Sequence, residues 1–261
     1  MIDELGLASL DAARIGAAYI RSRAADLATL DWREKARADF VSDVDVGAES
    51  RITEHLRRRF PGADIVGEEL SPAAVLTSDL AFVVDPLDGT TNFLHGVPWY
   101  AVTIAALLDG EVIAGATINV ATGELFTATL GGGARRAGEA IRVSEITEPG
   151  RALIGTGLPW SGDEDIARYM VALPNVMRAT AGIRRSGAAA LDLADVACGR
   201  YDAFWELRLN PWDMAAGSLL VREAGGVVTT ASGEPCPVAE TSLVCGNPAM
   251  HAWLLDTLRS A

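Results

Sequence analysis

The sequence predicts an α/β protein of layered helices and mixed sheets, and three observations lead there. Helical periodicity occupies much of the first sixty residues, strand-length apolar pieces joined by tight turns fill residues 65 to 143, and helices alternate with strands after Pro149. Of the 261 residues, 49% are hydrophobic and 22% charged, enough for a substantial core in one large domain or two fused lobes.

Near the N-terminus, Leu10, Ala13, Ala17 and Ile20 recur at three- and four-residue spacings with Asp11, Arg14 and Arg21 between them. That pattern is an amphipathic helix with one face for a sheet. Ala48, Ile52 and Leu56 predict a second helix over Ala48 to Phe60, stopped by Pro61-Gly62. The charged stretch Trp32 to Asp45 reads as a loop or irregular hairpin, a common place for function. Strands are expected at Ile65-Val66, Ala81 to Val84, Tyr100 to Leu108, Glu111 to Val120, Leu125 to Leu130 and Ile141 to Val143. Asp109-Gly110 and Thr122-Gly123 turn them into a largely antiparallel meander. Beyond it come a strand at Ala152 to Gly155, a helix near Asp163 to Leu173, a strand near Ile183 to Arg185, a helix at Ala188 to Cys198 and a strand at Asp202 to Glu206. Asn210 caps the next helix, Pro211 suits its first position and Gly225-Gly226 ends it. Strands at Val227 to Thr230 and Ser242 to Cys245 and a helix from Pro248, capped by Asn247, complete the chain, with any division into lobes near residues 145 to 150.

The net charge of −13 and pI near 4.6 argue against nucleic acid and anionic membranes as partners. An anionic substrate would need its charge neutralised by something other than lysine and arginine, and surplus carboxylates invite divalent cations with oxygen ligands. Cys198, Cys236 and Cys245 are odd in number and lack metal-type spacing, and the N-terminus shows no basic start followed by a long apolar run. A reducing cytoplasm is the expected location. His55, His95 and His251 are scattered and read as surface or structural histidines.

The most informative segment is Asp85-Pro86-Leu87-Asp88-Gly89-Thr90-Thr91-Asn92-Phe93, directly after an apolar strand. Two aspartates three residues apart in a turn can direct their carboxylates and a backbone carbonyl at one hard cation. Gly89 permits close backbone approach, and a helix opening at Thr90 would offer N–H groups to phosphate. Alone, the segment reads equally as an Asp-rich turn with a helix cap. Gly67-Glu68-Glu69 follows the strand Ile65-Val66 in the same manner, Asp39 to Asp45 adds acids on the predicted loop, and Asp213 falls in the first turn of a capped helix.

These four segments, in this order, resemble the signature set of the lithium-sensitive, metal-dependent phosphatases, and are most similar to the inositol monophosphatase family; the likeness runs through nearly the whole chain. The resemblance implies one domain over residues 1–261, with alternating α-β-α-β-α layers, an N-terminal lobe of about 1–147 and a C-terminal lobe of about 148–261. It implies Mg²⁺ as cofactor, one ion held by Glu68, Asp85 and the Leu87 carbonyl, a second by Asp85, Asp88 and Asp213, and a third, weaker one near Glu68. Thr90, oriented by Asp45, and Glu68 would activate the water that attacks phosphorus in line. Asp88, Gly89, Thr90 and Asp213 would also meet the substrate. Glu69 would fix the Glu68 loop from behind, and Lys35 would lie near the entrance, although its spacing to Asp39 is one residue short. Gly187, Ala188, Ala189 and Glu206 resemble the positions that contact the polyol; Ala188 departs from the pattern, since many relatives carry Ser or Thr there.

The substrate implied first is myo-inositol 1-phosphate, because Thr91-Asn92-Phe93-Leu94-His95-Gly96 resembles the inositol phosphatase wording; histidinol phosphate and other sugar phosphates follow. The family also implies a homodimer. A different class of reading is a non-catalytic regulatory or interaction protein that retains the fold. Against it stands the complete set Glu68, Asp85, Asp88, Thr90 and Asp213, since mutually repelling acids have little reason to gather without a cation.

Overall fold

A computed structural model of the chain describes residues 1–30, 32–36, 39–74, 77–159, 163–238 and 241–260. The predicted first helix is α1 (Ile2–Arg23), which buries Leu5, Ala13, Ala17 and Ile20. The charged stretch after it is a two-stranded antiparallel hairpin, β1 (Trp32–Ala36) and β2 (Asp39–Ser42), of which residues 37 and 38 lie outside the described part. The second helix, α2 (Asp43–Arg59), starts five residues before Ala48. Ser42 caps it: the Ser42 hydroxyl accepts the Val44 N–H at 3.2 Å, and the Asp45 carboxylate accepts the Ser42 N–H at 2.9 Å.

A seven-stranded sheet follows, in the order β3 (Asp64–Gly67), β4 (Leu80–Asp88), β5 (Ala101–Leu108), β6 (Glu111–Asn119), β7 (Leu125–Thr129), β8 (Gly133–Arg136) and β9 (Glu139–Ala140). Only its β3–β4 pair is parallel. A five-residue helix, α3 (Thr90–Leu94), leaves the end of β4. The meander is as expected, but Ile141 to Val143 is not a strand. The Ile141 N–H donates to Ala134 and the Val143 N–H to Ala224, so the two amides serve different elements and build no ladder. The sheet ends instead in the short β8–β9 hairpin.

The second sheet has five strands in the order β11-β10-β12-β14-β13. Its elements in chain order are β10 (Leu153–Thr156), α4 (Asp163–Ala179), β11 (Gly182–Arg184), α5 (Ala189–Ala197), β12 (Ala203–Glu206), α6 (Pro211–Glu223), β13 (Val227–Thr229), β14 (Leu243–Gly246) and α7 (Pro248–Arg259). Strand β10 runs parallel to both β11 and β12, whereas β14 is antiparallel to β12 and β13.

Stacking gives five layers. Helices α1 and α2 cover one face of the first sheet, and α5 and α6 lie between its other face and the second sheet, which α4 and α7 cover from outside. One buried cluster joins Val83, Ala105 and Phe126 of the first sheet to Leu193, Leu219 and Leu220 of the middle helices and Phe204 and Cys245 of the second sheet. Facing β-branched and aromatic side chains with alanines lets helices lie close on a sheet, and such burial stabilises by roughly 25 cal/mol per Å² of apolar surface. The C-terminal ends of β3, β4 and β12 and the N-termini of α3, α5 and α6 therefore come to one region.

Candidate active site

Pairing explains how two acids from separate segments become neighbours. Gly67 of β3 lies opposite Val84 of β4 in parallel register, and the Glu68 N–H donates to the Val84 carbonyl at 3.2 Å. Both strands thus reach Glu68 and Asp85 together. Strand β4 then continues through Asp88 instead of stopping at Val84. Against β5, Asp85 pairs with Thr103 and Asp88 with Ala101, so three steps on β4 match two on β5. In a regular strand, residues three apart point to opposite faces; this one-residue bulge turns Asp85 and Asp88 to the same side. The Leu87 N–H donates to Asp85 Oδ1 at 2.9 Å and holds the bulge closed.

Gly89 comes next, with φ of 87°. A side chain there would be strained by that backbone and would also meet the Trp99 carbonyl at 3.0 Å, which accounts for the glycine. The Thr90 hydroxyl lies 2.7 Å from Asp45 Oδ1 and 2.9 Å from the Leu87 carbonyl, both acceptors. Asp45 was expected on a loop but sits in the first turn of α2, where Ser42 holds its other oxygen at 2.5 and 2.9 Å. Burial raises the Asp45 pKa, and the Ser42 and Thr90 hydrogen bonds oppose the rise. Asp43, in the same predicted acid cluster, is exposed and pairs with Arg23 at 2.8 Å; the Asp39 side chain lies outside the described residues.

Asp213 enters from α6, its Oδ2 accepting the Asn210 N–H at 2.7 Å. Asp88 Oδ2 accepts the Ala190 N–H at 2.8 Å and so ties the first sheet to the start of α5. Asn92 makes a second tie, donating to the carbonyls of Trp99 at 2.7 Å and Ser186 at 2.9 Å. Lys35, from β1, bonds Glu68 at 2.8 Å and Glu69 at 2.7 Å.

Electrostatics follow from this crowding. Burial, then the charge of Asp213 set against that of Lys35, pushes Glu68 up to about 8. Burial and Glu68 push Asp88 to about 7 despite the Ala190 N–H, and burial and Asp88 push Asp213 to about 7. Asp85 is raised by burial and by all three of the others. Anionic oxygen donors held together against their own repulsion form the donor set of a hard divalent cation. The fit is one of chemistry and neighbourhood: among the described residues, no three acidic, cysteine or histidine side chains already close a cage.

Beside the acids opens a cavity of about 200 Å³, walled by Asp88, Asp213, Gly187, Ala188, Ala189 and Glu206, which unites every expected alcohol-side residue with two of the acids. Arg185, Asp192 and Arg208 also line it, and sequence reasoning missed them. Glu206 fits because Gly157 faces it; a Cβ on Gly157 would stand 2.0 Å from its carboxyl carbon. Burial raises the Glu206 pKa, with Asp213 and Asp88 adding to the rise and Arg185 opposing it. Glu49 was also missed: fully buried on α2, it accepts the N–H groups of Glu69 and Leu70. A signal for it existed, since Asp45 and Glu49 are like charges at i,i+4, an unfavourable arrangement on an exposed helix.

Residues 1–261 match the inositol monophosphatase family. The inositol-1-monophosphatase of Rhizobium meliloti (strain 1021) is 47% identical over 225 residues, covering 86% of this chain and 85% of that protein. The Nus factor SuhB of Pseudomonas aeruginosa is 41% identical over 96% of this chain and 94% of its own length. Among solved structures, the extragenic suppressor protein suhB of Bartonella henselae superposes with a TM-score of 0.92 at 39% identity, covering 97% of this chain and 98% of that one. With a match along its whole length and relatives this similar, the chain belongs to the inositol monophosphatase family and is a phosphatase.

Proposed function

We propose that the protein hydrolyses a small phosphorylated polyol, with myo-inositol 1-phosphate as the preferred substrate. The observation that carries this reading is the meeting of Asp88 and Asp213 with Glu206 around one cavity, acids for a cation at one end and a hydroxyl acceptor at the other. Glu68, Asp85 and the Leu87 carbonyl would hold one Mg²⁺, and Asp85, Asp88 and Asp213 a second; a third, weaker ion near Glu68, where Lys35 now bonds the carboxylate, is the resemblance's further implication. The Leu87 carbonyl has two lone pairs, so its contact with Thr90 leaves one for a cation. When bound, the ions supply the positive charge that a phosphate dianion needs in an acidic protein.

Asp45 and the Leu87 carbonyl both accept from the Thr90 hydroxyl, so its proton is engaged and its lone pairs face the attacking water. Thr90 orients that water, and Glu68 takes up its proton as its oxygen bonds to phosphorus in line. The ester P–O bond breaks on the opposite side, its electron pair leaving with the alcohol oxygen, which takes a proton from solvent while Glu68 returns the proton it took up; no covalent phosphoenzyme forms. Gly89 and Thr90 offer backbone N–H groups to the phosphate. Helix α3 has only five residues, so these amides matter more than a helix dipole. Glu206 accepts from vicinal hydroxyls, and Gly187 to Ala189 give the ring room. Glu69 braces the Glu68 turn through Lys35.

Histidinol phosphate and other sugar phosphates are the alternatives within this chemistry. Several relatives carry the name Nus factor instead of a phosphatase name, which supports the alternative of another class, a non-catalytic regulatory or interaction protein that retains the fold; the complete acid set favours retained activity. Among the described residues, no helix is long and apolar enough to cross a membrane. The family likeness supports a cytoplasmic homodimer. The deciding experiment compares kcat/KM for inositol 1-phosphate, histidinol phosphate and hexose phosphates at saturating Mg²⁺. Highest kcat/KM for inositol 1-phosphate is expected; a clear histidinol phosphate preference would reverse the assignment.

A further inference from the structure

Helix α2 reaches the candidate active site twice. From its first turn Asp45 holds Thr90, and one turn later on the same face Glu49 extends a fully buried carboxylate under the turn that carries Glu68. Its Oε2 accepts the Glu69 N–H at 2.7 Å and its Oε1 the Leu70 N–H at 3.0 Å, the two amides that directly follow Glu68. Upstream, the same turn is tied by the Glu68 N–H to Val84 and by the Gly67 N–H to the Ser71 hydroxyl. The carboxylate occupies space that residue 67 must leave empty, since a Cβ on Gly67 would lie 2.0 Å from Glu49 Oε1. A buried carboxylate is costly unless donors surround it, and two charge-assisted amide bonds offset that cost here.

We propose that Glu49 is a positioning residue: it sets the backbone path on which Glu68 meets cation and water, and with Asp45 it keeps Glu68 and Thr90 in fixed relation through one rigid helix. The glycine before Glu68 is then explained by the oxygen it admits. This rests on the reading of Glu68 as a cation-holding residue given above.

The test is Glu49→Gln, which keeps size and shape but replaces one acceptor oxygen with an NH₂ group that cannot accept an amide hydrogen. Three readouts on the full-length protein separate positioning from general stabilisation: Mn²⁺ affinity by calorimetry without substrate, amide exchange at Glu69 and Leu70, and the thermal midpoint. Losing a group that orients a ligand from behind costs about 10- to 100-fold in metal affinity. The expected result is a loss of that size with faster exchange at both amides, a fall in kcat larger than any rise in KM, and a thermal midpoint lowered by only a few degrees, as for one unmade buried hydrogen bond. Wild-type Mn²⁺ affinity in folded E49Q overturns the proposal, and so does a large drop in thermal midpoint without faster local exchange in the folded protein. Should E49Q fail to fold, Gly67→Ala keeps the carboxylate but crowds it; a matching loss of Mn²⁺ affinity supports the proposal and wild-type affinity overturns it. A wild-type protein that binds no Mn²⁺ would remove the reading of Glu68 itself, a failure distinct from that of Glu49.

Discussion

The two ends of the cavity are built by opposite means. At the acid end, Asp45 is clamped by Ser42, Thr90 by Asp45, Asp88 by Ala190, Asp213 by Asn210 and the Glu68 turn by Glu49, each through hydrogen bonds of 2.5 to 3.0 Å. At the end proposed for the alcohol, small residues open the wall between Arg185, Asp192 and Arg208: Gly157, Gly187, Ala188 and Ala189 contribute space, and Glu206 projects into it because Gly157 has no side chain. On the proposed reading, a fixed acid end and a more open opposite end would let one chemistry be kept while the alcohol changes, since a void can be reshaped at lower cost than a bonded network.

That contrast is open to test, and the largest effect belongs to the acid end. Asp88→Asn, nearly isosteric, is expected to abolish turnover by more than the roughly 100-fold typical of losing an outer partner, with folding retained by circular dichroism. Near-normal kcat at saturating Mg²⁺ would remove Asp88 from the cation site. At the alcohol end, Glu206→Gln is expected to lower kcat/KM for inositol 1-phosphate about tenfold, as for a lost hydrogen bond to a charged group, while leaving an aryl phosphate without hydroxyls almost unaffected. Equal losses on both substrates would place Glu206 among the acids that serve the chemistry.

The smallest effect concerns stability. Glu68 stands near 8 and Asp88 and Asp213 near 7, all above the unfolded carboxylate value of about 4. Groups raised on folding bind more protons in the native state, so their contribution is full below about pH 4 and is lost as pH rises through 7 to 8. In EDTA the thermal midpoint should therefore fall by several degrees between pH 6 and pH 8 and, if the ionised acids hold Mg²⁺ as proposed, recover on its addition. Asp88→Asn should reduce the fall; an unchanged fall would mean that other groups cause it.

Much of this was legible along the chain, because Asp85, Asp88, Gly89 and Thr90 are set by short-range spacing and Asp213 by helix-cap chemistry. What sequence reasoning missed depends on folding across long separations. Glu49 makes sense only once α2 lies under a turn twenty residues later. The early start of α2 was hidden because Asp43 and Asp45 look like loop residues until Ser42 is seen to cap the helix. Strand β8, with the residues Gly-Ala-Arg-Arg, lacks the alternation that marks a half-buried strand, and only its pairing with β7 reveals it. Arg185 and Arg208 carry no sequence signal of their own, because it takes β11 and β12 to bring them to one cavity.

The extra residue in β4 has a consequence for the ancestry and engineering of such sites. A strand counts in twos, and this one gains a half-step between Asp85 and Asp88. Shortening the segment by one residue would invert its phase and send Asp88 toward the packed side, although every amino-acid type in the motif survived. Substitution scanning alone would never expose that dependence, because it preserves length. The nine residues from Asp85 to Phe93 are therefore heritable as a unit of fixed length, and grafting them elsewhere succeeds only if the receiving strand can absorb the same half-step.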